Sequence, residues 1–240
     1  MSKTLQPEIR PPRLRPFREL AGLVCGAVSL PRLALDAPRV PSVSAPVIVL
    51  PGYLAGDGST LALRAYLTRC GHRVAGWQQG RNRGDVRRLV PRIIDEVTRR
   101  YEAGGQRVHL VGWSLGGVIA RETAREIPNA VAQVITMGSP VIGGPKYTVV
   151  ARAPRRSGMS LDEIERAFAK RNEVPIKVPV TALYSKRDGI VAWQACIDPN
   201  PDNDVEHLEF NVTHVEFPWN ATVLKQIAAR IDAVAADGRR

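Results

Sequence analysis

Arg107-Val108-His109-Leu110-Val111 runs straight into Gly112-Trp113-Ser114-Leu115-Gly116-Gly117, and a helical pattern over residues 115–127 follows at once. A strand that turns within two or three residues into a helix needs glycines where Cβ atoms would clash, and the Gly-x-Ser-x-Gly spacing supplies them on both sides of Ser114. In such a turn the serine Oγ projects above the carboxyl edge of a sheet, near the positive end of the following helix. The strand before, the helix after and the additional Gly117 raise a weak five-residue pattern to a strong one. Ser114 is therefore read as a nucleophile.

Outward from this turn the chain alternates regularly. Val47-Ile48-Val49-Leu50 is a continuous apolar run, as expected of a strand buried on both faces. Residues 59–70 read as a helix with Ser59 as N-cap and Gly71 just past its end. His72–Trp77 reads as a second strand. Asp85 opens a helix whose Val86, Leu89, Val90, Ile93, Ile94, Val97 and Tyr101 share one stripe; Pro91 implies a kink or a later start. Further strands are expected at 131–136, 178–184 and 205–210. Strands separated by helical patterns imply a mainly parallel sheet of about six strands, covered by helices on both faces.

A serine needs a base, and four histidines are on offer. His72 starts a strand, while His109 and His207 lie within strands. His214 comes just past the strand 205–210 and ahead of the helix that Asn220 opens, so it shares a sheet edge with Ser114. The acid that orients it should follow a strand between serine and histidine. Asp188, after the strand 178–184, fits; Asp198, Asp202 and Asp204 lie in a Pro/Asn loop with no strand to fix them. Oxyanion donors are expected from the backbone N–H of Leu115 and from the glycine-rich loop Pro51–Gly58, with Tyr53 the choice there and Leu54 the alternative.

With these pieces in order the chain resembles the α/β-hydrolase superfamily over roughly residues 45–236, its bacterial lipase- and esterase-like members above all. The matching stretches are Leu50-Pro51-Gly52-Tyr53-Leu54, Gly112–Gly117, Thr136-Met137-Gly138-Ser139-Pro140, Asp188-Gly189-Ile190-Val191 and Thr213-His214. The resemblance implies an α/β fold with a Ser-Asp-His triad, acyl-enzyme chemistry, and no metal or organic cofactor. Two departures stand out. Pro51-Gly52 replaces the His-Gly that often precedes the oxyanion residue, and the two antiparallel strands that commonly lead the fold are not visible. A serine nucleophile leaves esterase, lipase, thioesterase and acyltransferase open, as well as a non-catalytic lipid- or partner-binding module.

The domain plan is an arm over 1–45, rich in proline and arginine with one short helix near 17–30, and a hydrolase domain over 46–240. Residues 143–177 stand where a short connection would suffice and read as a small lid. Within them Ser160-Leu161-Asp162-Glu163 is a capping box, and Ile164, Ala167 and Phe168 continue an apolar face. Lys146, Arg152, Arg155, Arg156, Lys170, Arg171 and Lys177 surround that face, so peripheral contact with an anionic membrane is one expectation and a solvated lid over a small-ester pocket the other.

The formal charge of +11 carries no zinc-ligand spacing, helix-turn-helix or phosphate loop with it, and aromatics at 5% are too few for stacking on single strands. No nucleic-acid partner is expected; the partner is a small-molecule or lipid ester. The three cysteines, Cys25, Cys70 and Cys196, are odd in number and widely spaced, which favours reduced thiols and a cytoplasmic location. The oligomeric state leaves no mark in the sequence.

Overall fold

The computed structural model describes residues 44–152 and 160–237, together with Ile9, Pro12 and Glu19. The helix expected near 17–30 and Cys25 lie outside the described residues, apart from Glu19. Six strands form one sheet: β1 (Pro46–Leu50), β2 (Arg73–Gly76), β3 (Val108–Trp113), β4 (Val131–Met137), β5 (Val180–Tyr184) and β6 (Val205–Glu209). Their order is β2-β1-β3-β4-β5-β6, and every neighbouring pair is parallel.

Among the described stretches 44–152 and 160–237 there are five α-helices, α1 (Leu61–Arg69), α2 (Val86–Gly104), α3 (Leu115–Glu126), α4 (Leu161–Asn172) and α5 (Ala221–Asp237); all but α4, which lies on the loop after β4, pack on the sheet. The alternation within β1 explains the two layers. Val47 and Val49 pack with Leu63 and Leu67 of α1 and with Leu224 and Ile227 of α5. Ile48 and Leu50 point the other way, onto Leu89, Ile93 and Val97 of α2 and Ile119 of α3. All five residues of β1 are buried, as a strand with helices on both faces requires.

Local chemistry sets several boundaries. A 3₁₀ turn at Asp57–Thr60 precedes α1, so Thr60 and not Ser59 is the N-cap; the Ser59 hydroxyl donates instead to the Gly56 carbonyl (2.8 Å). The carboxylate of Asp57 accepts from the amides of Trp77 (3.0 Å) and Gln78 (3.2 Å), pinning the end of β2 to this turn. Asp85 caps α2 by accepting from Arg88 N–H (3.2 Å), and the helix starts at Val86, ahead of Pro91 rather than after it. Gly105, at φ +64, ends it.

The strand order places the site. From β1 the chain moves outward to β2, then returns to the other side of β1 as β3. Loops leaving the carboxyl ends of β1 and β3 therefore diverge, and the crevice between them is where open α/β sheets bind ligands. The Gly52 loop and Ser114 stand at that crevice.

Candidate active site

Ser114 occupies φ +53, ψ −122, a conformation that costs a non-glycine residue about 1–3 kcal/mol and persists only where the surroundings impose it. They do so here. Ser114 N–H donates to the Met137 carbonyl (2.8 Å), and Gly117 N–H donates to the Ser114 carbonyl (3.0 Å). A Cβ on Gly116 would overlap the Leu50 and Pro51 carbonyls, so only glycine lets α3 start this close to β1. A Cβ on Gly52 would stand 3.2 Å from Ser114 Cβ, which brings the loop after β1 directly against the serine.

In that loop Leu54 is held at φ +59 and donates its N–H to the Asn82 carbonyl (2.7 Å). This engagement removes Leu54 as the alternative oxyanion donor. The Tyr53 amide has no hydrogen-bond partner among the described residues. Leu115 is the first residue of α3, where an amide has no intrahelical acceptor. Asn82 was not singled out from sequence, yet it is fully buried and staples this loop. Its side chain donates to the Pro51 carbonyl (2.9 Å), its own N–H to the Ala55 carbonyl (2.8 Å), and its Oδ1 accepts from Gly84 (3.2 Å). Between two glycines, Asn82 reads locally as an ordinary turn residue.

On the other side of β3, the turns after β5 and β6 meet. His214 Nδ1 lies 2.7 Å from Asp188 Oδ2, and both side chains are almost wholly buried, at 3% and 1% exposure. A carboxylate only accepts, so Nδ1 carries a proton, and in the neutral ring Nε2 is the nitrogen with the lone pair. The other Asp188 oxygen accepts from the amides of Ile190 (2.8 Å) and Val191 (2.7 Å), which leaves the carboxylate one orientation. The Ser185 hydroxyl donates to the Val212 carbonyl (2.6 Å), tying the two turns together.

Trp113, next to the serine, connects the halves. Its indole N–H donates to the His214 carbonyl (3.1 Å), and the two rings lie 5.5 Å apart; Phe217 meets the imidazole edge-on from another side. Gly138, at φ +54, ends β4 beneath the pair. A Cβ there would stand 2.9 Å from Asp188 Oδ2 and 3.0 Å from His214 Nδ1. Ser114, Asp188, His214, Tyr53 and Leu115 are thus gathered at one sheet edge by the loops after β1, β3, β5 and β6.

The remaining polar candidates sit elsewhere. His109 Nδ1 accepts from Gln133 Nε2 (2.9 Å) inside the sheet, and burial pushes its imidazole down to about 3. His207 Nε2 accepts from Asp198 N–H (2.9 Å). Asp198 is not the unfixed loop residue the sequence suggested. Its side chain is buried and paired with Arg121 of α3; burial pushes its carboxyl up, but Arg121 and the Asn200 amide outweigh this and hold it low. Cys70 and Cys196 are buried free thiols, and burial raises both, so neither offers a thiolate.

The connection from β4 to β5 carries two 3₁₀ turns (Gly144–Tyr147 and Val149–Arg152) and α4. The capping box is present, with Ser160 Oγ accepting from Glu163 N–H (3.2 Å) and Glu163 accepting from Ser160 N–H (2.7 Å). Ile164 and Phe168 of α4 are half-buried, whereas Ala167 is exposed. Two of the lid cations spend their charge locally: Lys146 on Glu165 (2.5 Å), and Arg171 on Glu122 and Glu126 (2.6 Å each). Among the described residues no helix is long and apolar enough to cross a membrane.

A parallel sheet with helices on both faces, a serine in a strained strand-to-helix turn and a carboxylate–imidazole pair at the same edge define a protein of the α/β-hydrolase type. The model of the alpha/beta hydrolase family matches residues 20–223, and the chain belongs to that family. Comparison with curated protein sequences returns no match. Among solved structures, the chain is similar to one reported for LipS and LipT, two metagenome-derived lipolytic enzymes (17% identity, 84% of this chain and 98% of that one, TM-score 0.61). It is also similar to the Bacillus licheniformis lipase BlEst2 (14% identity, 82% and 94%, TM-score 0.59). A third is the Paleococcus ferrophilus monoacylglycerol lipase (16% identity, 80% and 96%, TM-score 0.54). At these identities the likeness is one of fold.

Proposed function

We propose that the protein is a serine hydrolase that cleaves carboxylic esters through an acyl-enzyme intermediate, with Ser114, His214 and Asp188 as its triad. The observation that carries this reading is the buried 2.7 Å pair of Asp188 and His214, set against the Trp113-Ser114 turn. His214 Nε2 takes the Ser114 proton as Oγ attacks the acyl carbonyl. The amides of Leu115 and Tyr53 hold the oxyanion. His214 then protonates the departing alcohol, and water activated by the same nitrogen releases the acid and restores Ser114. Asp188 keeps the proton on Nδ1 and stabilises the imidazolium.

The lipolytic structural relatives agree with an ester substrate. A panel of p-nitrophenyl esters from short to long acyl chains, with S114A alongside, tests the reading. Turnover by the wild type that S114A abolishes supports it; equal background rates for both across the panel refute it.

A further inference from the structure

Glu19 belongs to the arm that precedes the sheet, 27 residues before the start of β1 at Pro46, yet it is 7% exposed. Its carboxylate is spent on the two turns that carry the acid and the base. Oε1 accepts from Gly189 N–H (2.9 Å), immediately after Asp188, and from His214 N–H (3.4 Å). Oε2 accepts from Val215 N–H (3.1 Å). A Cβ on Gly189 would stand 2.8 Å from Glu19 Oε1, so the turn after β5 is shaped to admit the carboxylate. A buried charged acceptor shared by three amides is a strong local tie, because both lone-pair-bearing oxygens are satisfied and no donor is left orphaned.

We infer that Glu19 is a positioning residue: it fastens the Asp188 and His214 turns to each other and thereby fixes the imidazole relative to Ser114. The inference rests on the triad reading above. It gives the arm a role in the site that neither its composition nor its proline content discloses. Glutamine at this position keeps one acceptor and turns an N–H₂ group either toward the Val215 amide or toward the Gly189 and His214 amides, so at least one of the three bonds becomes a repulsion. Aspartate keeps the charge but is one methylene too short to span both.

The test uses the full-length protein as wild type, E19A, E19Q, E19D and G189A. Two readouts are taken: p-nitrophenyl ester kinetics, normalised to the folded fraction from circular dichroism, and hydrogen–deuterium exchange over residues 186–191 and 212–217. Loosening a catalytic group by an ångström costs on the order of 100-fold, so E19A and E19Q are expected to lose about 10- to 100-fold in kcat. KM should stay within about twofold, since the acyl-binding surface is untouched. E19D should recover part of the loss, and G189A should reproduce it by displacing the carboxylate. Exchange should quicken in both segments in E19A. Wild-type kcat and exchange in E19A, or a loss that only follows the folded fraction, would overturn the inference. Exchange needs no substrate, so a wild type that hydrolyses no ester would count against the ester reading while the exchange data still judge Glu19.

Discussion

His109 offers a way to read burial as a pH dependence. Its ring sits within β3 at 2% exposure, accepting at Nδ1 from Gln133, whose Nε2 also donates to the Arg230 carbonyl. Burial, with smaller contributions from His72 and Arg107, pushes the imidazole down to about 3. In the unfolded chain it titrates near its ordinary value, about 6.5. A folded value below the unfolded one means that the unfolded state binds the proton first. The contribution of neutral His109 is therefore complete above about pH 6.5 and is lost progressively as the pH falls toward about 3. At about pH 4.5 the unfolded form is favoured by two pH units, worth roughly 2.7 kcal/mol, a large part of a typical domain's stability. Because that pH lies above the folded value, the loss is set by the unfolded imidazole and not by the depth of the shift. H109Q keeps an acceptor for Gln133 and removes the titration. Urea unfolding at about pH 7.5 and 4.5 should show the wild type losing ~2–3 kcal/mol more than H109Q on acidification. Equal losses in the two proteins would show that His109 does not set this acid sensitivity.

Three further outcomes follow from the site and its supports. D188N removes the acceptor that holds the proton on His214 Nδ1 and should lower kcat for p-nitrophenyl esters by roughly 10⁴-fold with the fold intact. G138A places a methyl group within 3.0 Å of both members of the Asp188–His214 pair at a positive φ; kcat should fall by about 100-fold while circular dichroism keeps its shape. R121A leaves the buried Asp198 carboxylate without its cation and should cost about 3–5 kcal/mol in chemical denaturation, whereas an unchanged midpoint would show the pair to be dispensable.

The sheet was legible because its determinants are local. The continuous apolar run at 47–50 and the mostly apolar runs at 108–111 (broken by His109) and 131–136 (broken by Gln133) mark strands buried on both faces, and the stripe from Val86 to Tyr101 marks a helix against them. Ends were less legible: β3 runs on through Gly112 and Trp113, because its ladder with β4 continues to Met137. The N-cap of α1 was misplaced by one residue because a 3₁₀ turn, which no periodicity announces, stands before it. The triad candidates could be chosen by their order along the chain and their place after strands. Their supports could not. Asn82 holds Pro51, Arg121 holds Asp198, and Glu19 holds Gly189 and Val215, each across a sequence separation that leaves no local pattern. Such partners depend on which loops the strand order brings together, and only the folded chain supplies that.

The proposed mechanism requires Ser114 to be an activated nucleophile. Incubating the folded wild type and S114A with a fluorophosphonate, followed by intact mass and peptide mapping, tests it most directly. One stoichiometric adduct is expected on the peptide containing Ser114 in the wild type and none in S114A. Folded wild-type protein that takes up no label, or labels equally in S114A, would contradict it.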